Sequence, residues 1–165
     1  ELKSIIGKGS VFSVTLERAI SQSRRYNPPL ESVKIQSNEL RGLTVLCVDD
    51  EMTILEGMSA LLSRWNCQVL TCTNGEDALV HICKNDVQAI IADFQLGNNE
   101  NGLDVIRHLR PHLGAAENVC ILSARKTESM ERQAANENVK ILTKPANPDD
   151  IRQFLLSCLT ADAKE

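Results

Sequence analysis

The chain has 165 residues, of which 42% are apolar and 24% are charged, proportions that exclude a disordered or fibrous protein. This length allows one domain of common size with about 40 residues to spare. The net charge of −4 disfavours a general nucleic-acid or membrane binder. No apolar run approaches the ~18 residues that cross a bilayer, and no signal-peptide pattern opens the chain. We therefore expect a cytoplasmic protein.

The first 41 residues differ in kind from the rest. Gly7-Lys8-Gly9-Ser10 is typical of a turn, and Val11–Leu16 predicts a strand. The turn resembles a phosphate-binding loop, but that motif needs a glycine five residues before its Gly-Lys pair, where Leu2 stands. Residues 20–41 are polar and interrupted by proline, which predicts a linker.

Residues 42–160 alternate between short β-branched segments and segments with helical spacing. Repeated strand–helix units predict a parallel sheet covered by helices on both faces. Ile90-Ile91-Ala92 has no polar alternation, as expected of a strand buried on both sides. The predicted strands are Leu43–Val48, Gln68–Thr73, Ala89–Ala92, Val119–Leu122 and Val139–Leu142.

Polar residues follow four of the five predicted strands. Asp49 and Asp50 come after the first strand, Asp93 after the third, Ser123 after the fourth and Lys144 after the fifth. Parallel sheets of this type place functional groups at the carboxyl ends of their strands. Each residue alone could be a helix cap, but together they predict one chemical site.

The chemistry of these residue types points to phosphoryl transfer. Three converging carboxylates repel one another unless a cation is present, and Mg²⁺ prefers such oxygen ligands. A carboxylate can then act as a nucleophile and form an aspartyl phosphate. An ammonium group and a hydroxyl can stabilise the charge that develops on the phosphoryl oxygens.

The motifs Val48-Asp49-Asp50-Glu51, Ala92-Asp93-Phe94, Leu122-Ser123-Ala124 and Thr143-Lys144-Pro145 resemble those of the receiver domains of two-component response regulators. The resemblance covers residues 42–160. It implies a flavodoxin-like (βα)5 fold, a doubly wound parallel sheet with strand order 2-1-3-4-5, here with an N-terminal strand and linker extension.

The resemblance also implies a role for each site residue. Asp93 is the phospho-acceptor, and Asp49 and Asp50 hold Mg²⁺ together with Asp93 and the backbone carbonyl of Gln95. Ser123 is the switch hydroxyl, and Lys144 contacts the phosphoryl group. The Lys144–Pro145 bond is usually cis in this family. Ile141 departs from the family, because that position usually carries an aromatic side chain that takes part in the switch.

Residues 1–19 resemble the last turn and strand of the ATP-binding domain of histidine kinases. In hybrid sensor kinases, the ATP-binding domain is followed by a linker and then by a receiver, which is the order found here. The resemblance implies that this chain is a C-terminal fragment of such a kinase, without the phosphorylated histidine or the nucleotide pocket. It is also compatible with a parent protein that is anchored in a membrane. The expected partners are the kinase domain of the same protein and a downstream histidine phosphotransfer domain.

One alternative remains open on sequence alone, a stand-alone or degenerate receiver that acts only as a protein-interaction module. A phosphatase of the haloacid dehalogenase type also forms an aspartyl phosphate, but its nucleophile lies in an Asp-x-Asp pair, whereas Asp49 and Asp50 are adjacent. A flavodoxin-like cofactor binder would share the fold, but no phosphate loop follows the first strand, where Asp49 and Asp50 would repel an anion. Direct DNA binding is not expected, because no basic recognition helix follows the receiver.

The six cysteines predict reduced core residues rather than a metal site. Most lie in apolar segments such as Val45-Leu46-Cys47-Val48, and none forms a closely spaced pair.

Overall fold

The structure, a computed structural model, describes residues 2–15, 38–97, 100–113 and 118–161. The chain divides into two units, residues 1–35 and 36–165. Among the described residues, no helix is both long enough and apolar enough to cross a membrane.

A β-hairpin makes up the described part of the first unit. Strand β1 (Leu2–Ile5) pairs antiparallel with β2 (Gly9–Phe12), and Leu2 lies opposite Phe12. Gly7 adopts a φ of +75° in the connecting turn, a conformation that glycine takes without strain. The strand predicted at Val11–Leu16 therefore begins earlier, at Gly9, and ends at Phe12, because its pairing with β1 sets its length; Leu16 lies outside the described residues.

The second unit contains a five-stranded parallel sheet. The strands lie in the order β4-β3-β5-β6-β7, which confirms the predicted order 2-1-3-4-5 counted from β3. Every residue of the two strands β5 and β6 is buried, as the unbroken apolar segments predict. The strands are β3 (Thr44–Val48), β4 (Gln68–Cys72), β5 (Ala89–Asp93), β6 (Val119–Ser123) and β7 (Val139–Thr143).

Five helices cover the two faces of this sheet. Alternate residues of β3 point to opposite faces, so Leu46 packs in the core with α2, α3 and α4, and Val45 packs in the core with α1 and α5. The helices are α1 (Met52–Ser63), α2 (Gly75–Lys84), α3 (Gly102–Leu109), α4 (Glu128–Asn136) and α5 (Pro148–Ala161), with short 3-10 helices at Asn38–Leu40 and Arg110–His112.

Two helices begin with the same local pattern, Asn-Gly-x-Asp. The Asn74 side chain accepts a hydrogen bond from the backbone N–H of Asp77 (2.8 Å) at the start of α2. Asn101 accepts the equivalent bond from Asp104 (2.9 Å) at the start of α3. These caps satisfy N–H groups that have no partner within the helix, and they determine where each helix begins.

The predicted linker spans residues 20–41, and its residues 20–37 lie outside the described residues. Its end is part of the second unit, because Leu40 is only 1% exposed and packs in the core on the α1 and α5 side. The second unit thus begins before residue 42, where the sequence placed its start. Composition marks a linker by its polarity, and a single buried leucine inside a polar segment escapes that criterion.

The cysteines allow a direct test of the packing. Burial raises the pKa of the Cys47 and Cys120 thiols to about 12, and Cys83 is the exposed one of the six. Because the thiolate is the reactive form, we predict that iodoacetamide at neutral pH labels Cys83 and leaves the other five unlabelled. The measurement is peptide mass spectrometry, with urea-unfolded protein as the control that labels all six. Labelling of a second cysteine at the rate of Cys83 would contradict the described core.

Candidate functional site

The predicted site residues lie at the carboxyl edge of the central sheet. Asp93 is the last residue of β5 and Ser123 the last residue of β6, and these two strands are neighbours. Asp49 directly follows β3 and Lys144 directly follows β7, which pair with β5 and β6. The parallel register therefore brings residues up to 95 positions apart in the chain to one edge.

Buried polar side chains are concentrated at this edge of the sheet. Among the described residues, the buried polar or charged side chains are Asp49, Asp93 and Ser123, with exposed fractions of 4%, 9% and 4%. Charged residues are almost never buried without a partner, because losing their hydration costs free energy. Such a concentration of buried polar groups marks the edge as a site rather than a chance surface cluster.

Lys144 is the cation between the two buried carboxylates. Its Nζ lies 3.0 Å from Asp93 Oδ1 and 3.2 Å from Asp49 Oδ2. Burial by itself lowers the pKa of Lys144, but its hydrogen bonds to Asp93 and Asp49 outweigh this effect and the pKa lies above its ordinary value. Lys144 is therefore protonated at neutral pH and holds the two carboxylates in place.

The third carboxylate, Asp50, is exposed at the mouth of the site. Carboxylate oxygens of Asp49, Asp50 and Asp93 lie within 4.8 Å of one another. Oxygen ligands of an octahedral Mg²⁺ at about 2.1 Å stand roughly 3 to 4.2 Å apart, so this donor set fits such an ion after small adjustments. One ammonium beside three carboxylates also leaves excess negative charge, which a divalent cation would neutralise.

A pocket of about 440 Å³ lies over these groups. Gln95, predicted to offer its backbone carbonyl to the metal, lies on the pocket wall with Asp50 and Asp93. Every predicted site residue except Asp49 therefore lines the pocket. The Asp49 carboxylate instead accepts hydrogen bonds from Lys144 Nζ and from the backbone N–H of Glu51 (2.9 Å).

Ser123 reaches the site but bonds within its own loop. Its hydroxyl donates to the backbone carbonyl of Arg125 (2.7 Å) and accepts from the backbone N–H of Arg125 (3.3 Å). The hydroxyl thereby closes a tight turn at the start of the loop between β6 and α4. Any rotation of Ser123 toward Asp93 would break these bonds and release the loop.

Gly102 allows α3 to begin directly against the end of β5. Its N–H donates to the Phe94 carbonyl (2.8 Å), and a Cβ on residue 102 would lie 2.1 Å from the backbone oxygen of Asp93. Only glycine fits at that distance. The Asn101-Gly102 pair thus caps α3 and also permits the close approach that positions Asp93.

Two contributors to the site were not predicted from the sequence. Phe94 lines the pocket beside Asp93, and its position directly after Asp93 in the sequence was the available signal. Glu100 accepts a weak hydrogen bond from the backbone N–H of Gly75 (3.4 Å) and so links the loop after β5 to the start of α2. No sequence pattern marks Glu100, because its partner Gly75 lies 25 positions away in the chain, at the start of α2.

Comparisons with known proteins agree with this geometry. The sequence profile of the family described as response regulator receiver domain matches residues 45–156. A chain covering 73% of this protein and 99% of its own length, a putative response regulator from Chloroflexus aurantiacus, is 25% identical with a TM-score of 0.63. No curated protein matches the chain.

Two further solved structures share the fold. The receiver domain of the hybrid histidine kinase CckA is 24% identical, with a TM-score of 0.58 over 70% of this chain and 98% of that chain. The chemotaxis protein CheY4 of Vibrio cholerae is 20% identical, with a TM-score of 0.63 over 71% and 98%. The Lys144–Pro145 bond is cis, as the family resemblance implied.

A pair of glycine substitutions tests the close approach at α3. We predict that Gly102→Ala lowers the free energy of unfolding by about 2 kcal/mol or more, because its Cβ would overlap the Asp93 carbonyl. Gly57→Ala is the matched control, since Gly57 lies inside α1 with open space around its Cβ position, and we expect it to stabilise by about 0.5–1 kcal/mol. Urea unfolding measures both, and a Gly102→Ala protein as stable as wild type would contradict this packing.

Proposed function

The chain belongs to the response regulator receiver domain family, and we propose that its second unit accepts a phosphoryl group on Asp93 from a phosphohistidine. The observation that carries the proposal is the convergence of buried Asp49 and Asp93 with the Lys144 ammonium at 3.0–3.2 Å. A structural ion pair needs one carboxylate for one ammonium. Two buried carboxylates on a single lysine leave one negative charge without a partner, which a bound divalent cation would neutralise before an anionic phosphoryl group approaches.

The transfer is an in-line displacement. An Asp93 carboxylate oxygen attacks the phosphorus, the P–O bond forms as the P–N bond to histidine breaks, and the imidazole leaves with the electron pair of that bond. Lys144 lies within 3.0 Å of Asp93 Oδ1, so its ammonium is positioned to neutralise a phosphoryl oxygen. A Mg²⁺ held by Asp49, Asp50, Asp93 and the Gln95 carbonyl would supply further positive charge to the phosphoryl oxygens.

We propose that the phosphodonor docks on a groove beside the site. This groove of about 660 Å³ lies between α1 and the loop before α5, and it shares Lys144 with the catalytic pocket. Its walls are mostly apolar, and Ile54 on α1 is 37% exposed. A helix of a histidine phosphotransfer domain or of the kinase could bury an apolar face there while presenting its phosphohistidine to Asp93. The other lining residues are Thr53, Gly57, Met58, Leu61, Leu122, Pro145, Ala146 and Ile151.

We propose that residues 1–19 are the end of a histidine-kinase ATP-binding domain, so that the parent is a hybrid kinase of a cytoplasmic phosphorelay. Supporting this, the hairpin exposes apolar side chains on both faces: Leu2 and Phe12 on one (60% and 79%), Ile5 and Val11 on the other (59% and 63%). A two-stranded hairpin with such faces is not stable alone, and both faces suit a strand pair that is covered within a larger domain.

Intact mass spectrometry tests the nucleophile. With Mg²⁺ and acetyl phosphate, we predict that wild type gains one phosphoryl group, about 80 Da, as expected of covalent nucleophilic chemistry. Asp93→Asn should gain none, and chelation of Mg²⁺ should abolish labelling of wild type. Asp86→Asn, at an exposed carboxylate outside the pocket, is the matched control and should label normally.

Labelling of Asp93→Asn would show that the nucleophile is assigned wrongly. Failure of wild type to label from both acetyl phosphate and a phosphorylated kinase would favour the alternative function, a receiver that acts only as an interaction module.

A second measurement separates the donor groove from the chemistry. Ile54→Asp places a charge in the apolar groove, so we predict at least ~10-fold slower transfer from a phosphorylated histidine phosphotransfer domain, with labelling by acetyl phosphate retained. Val80→Asp is the control, because Val80 is 47% exposed on α2 and lies outside the groove. Equal transfer rates for the two variants would rule out docking at the groove.

A further inference from the structure

A second cavity adjoins the catalytic pocket. It has a volume of about 470 Å³ and lies beneath the loop between β6 and α4. The two cavities share the wall residues Phe94, Gln95, Ser123 and Ala124. The second cavity then extends to Arg125, Thr127 and Met130, and so it reaches the first turn of α4.

The loop above this cavity is held by the group that the chemistry would move. Ser123 bonds both to the carbonyl and to the N–H of Arg125, and Thr127 caps α4 through the N–H of Met130 (3.3 Å). If the Ser123 hydroxyl turned toward a phosphoryl group on Asp93, the Arg125 bonds would be lost. The loop would then be free to close onto the second cavity or to open it.

Phe94 is the large apolar side chain that borders both cavities. Its backbone is held on both sides, since its N–H donates to the Leu122 carbonyl (2.8 Å) and its carbonyl accepts from Gly102 (2.8 Å). The ring is half-buried and packs against the core that contains Met130 of α4. With the backbone fixed, only the side-chain torsions of Phe94 can respond when either cavity changes shape.

We propose that the Phe94 ring couples phosphorylation of Asp93 to movement of the β6–α4 loop and the start of α4. The inference rests on the proposed function, because it requires a phosphoryl group on Asp93. In the unphosphorylated state the ring lines the second cavity together with Ser123 and Arg125. When Ser123 releases its bonds to Arg125, the ring fills the vacated part of the second cavity and stabilises the new loop position, a shift between two packed arrangements.

Hydrogen–deuterium exchange before and after acetyl phosphate treatment tests the coupling. The readout is the change in exchange over residues 124–136, divided by the phosphorylated fraction from intact mass. We expect a clear change in wild type and a change of about one third or less in Phe94→Leu, which keeps an apolar side chain but loses the ring. Phe94→Tyr restores a ring and should restore the response.

Leu70→Val is the matched control. Leu70 is partly buried on β4 and packs against the same core, but it lines neither cavity, so its normalised response should equal that of wild type. A full response in Phe94→Leu would overturn the proposal, and so would a phosphorylated wild type without any change over residues 124–136. If Phe94→Leu cannot be phosphorylated, the ring serves the chemistry and coupling is likewise overturned. Failure of wild type itself to become phosphorylated would instead count against the proposed function.

Discussion

The free-energy cost of burying two carboxylates at the carboxyl edge of the parallel sheet is the constraint on which the arrangement of this site depends. Asp49 and Asp93 are nearly inaccessible to water, and Lys144 bonds to both from the loop after β7. Removing Lys144 would leave two buried carboxylates without a cation, which is far more destabilising than the loss of an exposed ion pair. The sheet edge therefore has to keep the ends of β3, β5 and β7 in fixed register, and the helices that follow these strands pack accordingly.

The same constraint explains why the loop after β5 is so tightly built. Gly102 lets α3 begin against the carbonyl of Asp93, and Asn101 caps the helix at that point. Glu100 links the loop to the start of α2. Backbone bonds hold Phe94 from two directions. These contacts fix Asp93 through its backbone, and this is the rigid support that the proposed role of its carboxylate as a nucleophile would need.

Two cavities flank this rigid centre on opposite sides, and they differ in character. The groove along α1 is apolar, open to an approaching helix, and shares Lys144 with the site. The cavity under the β6–α4 loop is bordered by Phe94, Ser123 and Arg125. Under the proposed function, this arrangement would separate input from response, because the donor would approach over α1 and the β6–α4 loop on the other side would respond to the phosphoryl group.

Much of this could be predicted from the sequence. Unbroken apolar segments such as Ile90-Ile91-Ala92 indicate buried parallel strands. Residues that follow such strands meet at one edge of the sheet. Residue type and position were therefore enough to identify Asp49, Asp93, Ser123 and Lys144. Tertiary structure decided what depends on distances between remote segments. It placed Leu40 in the core, paired β1 with β2, turned the Ser123 hydroxyl onto Arg125, and set Phe94 between two cavities. A sequence pattern records the period and polarity of one element, whereas these features arise from packing between elements that are far apart in the chain.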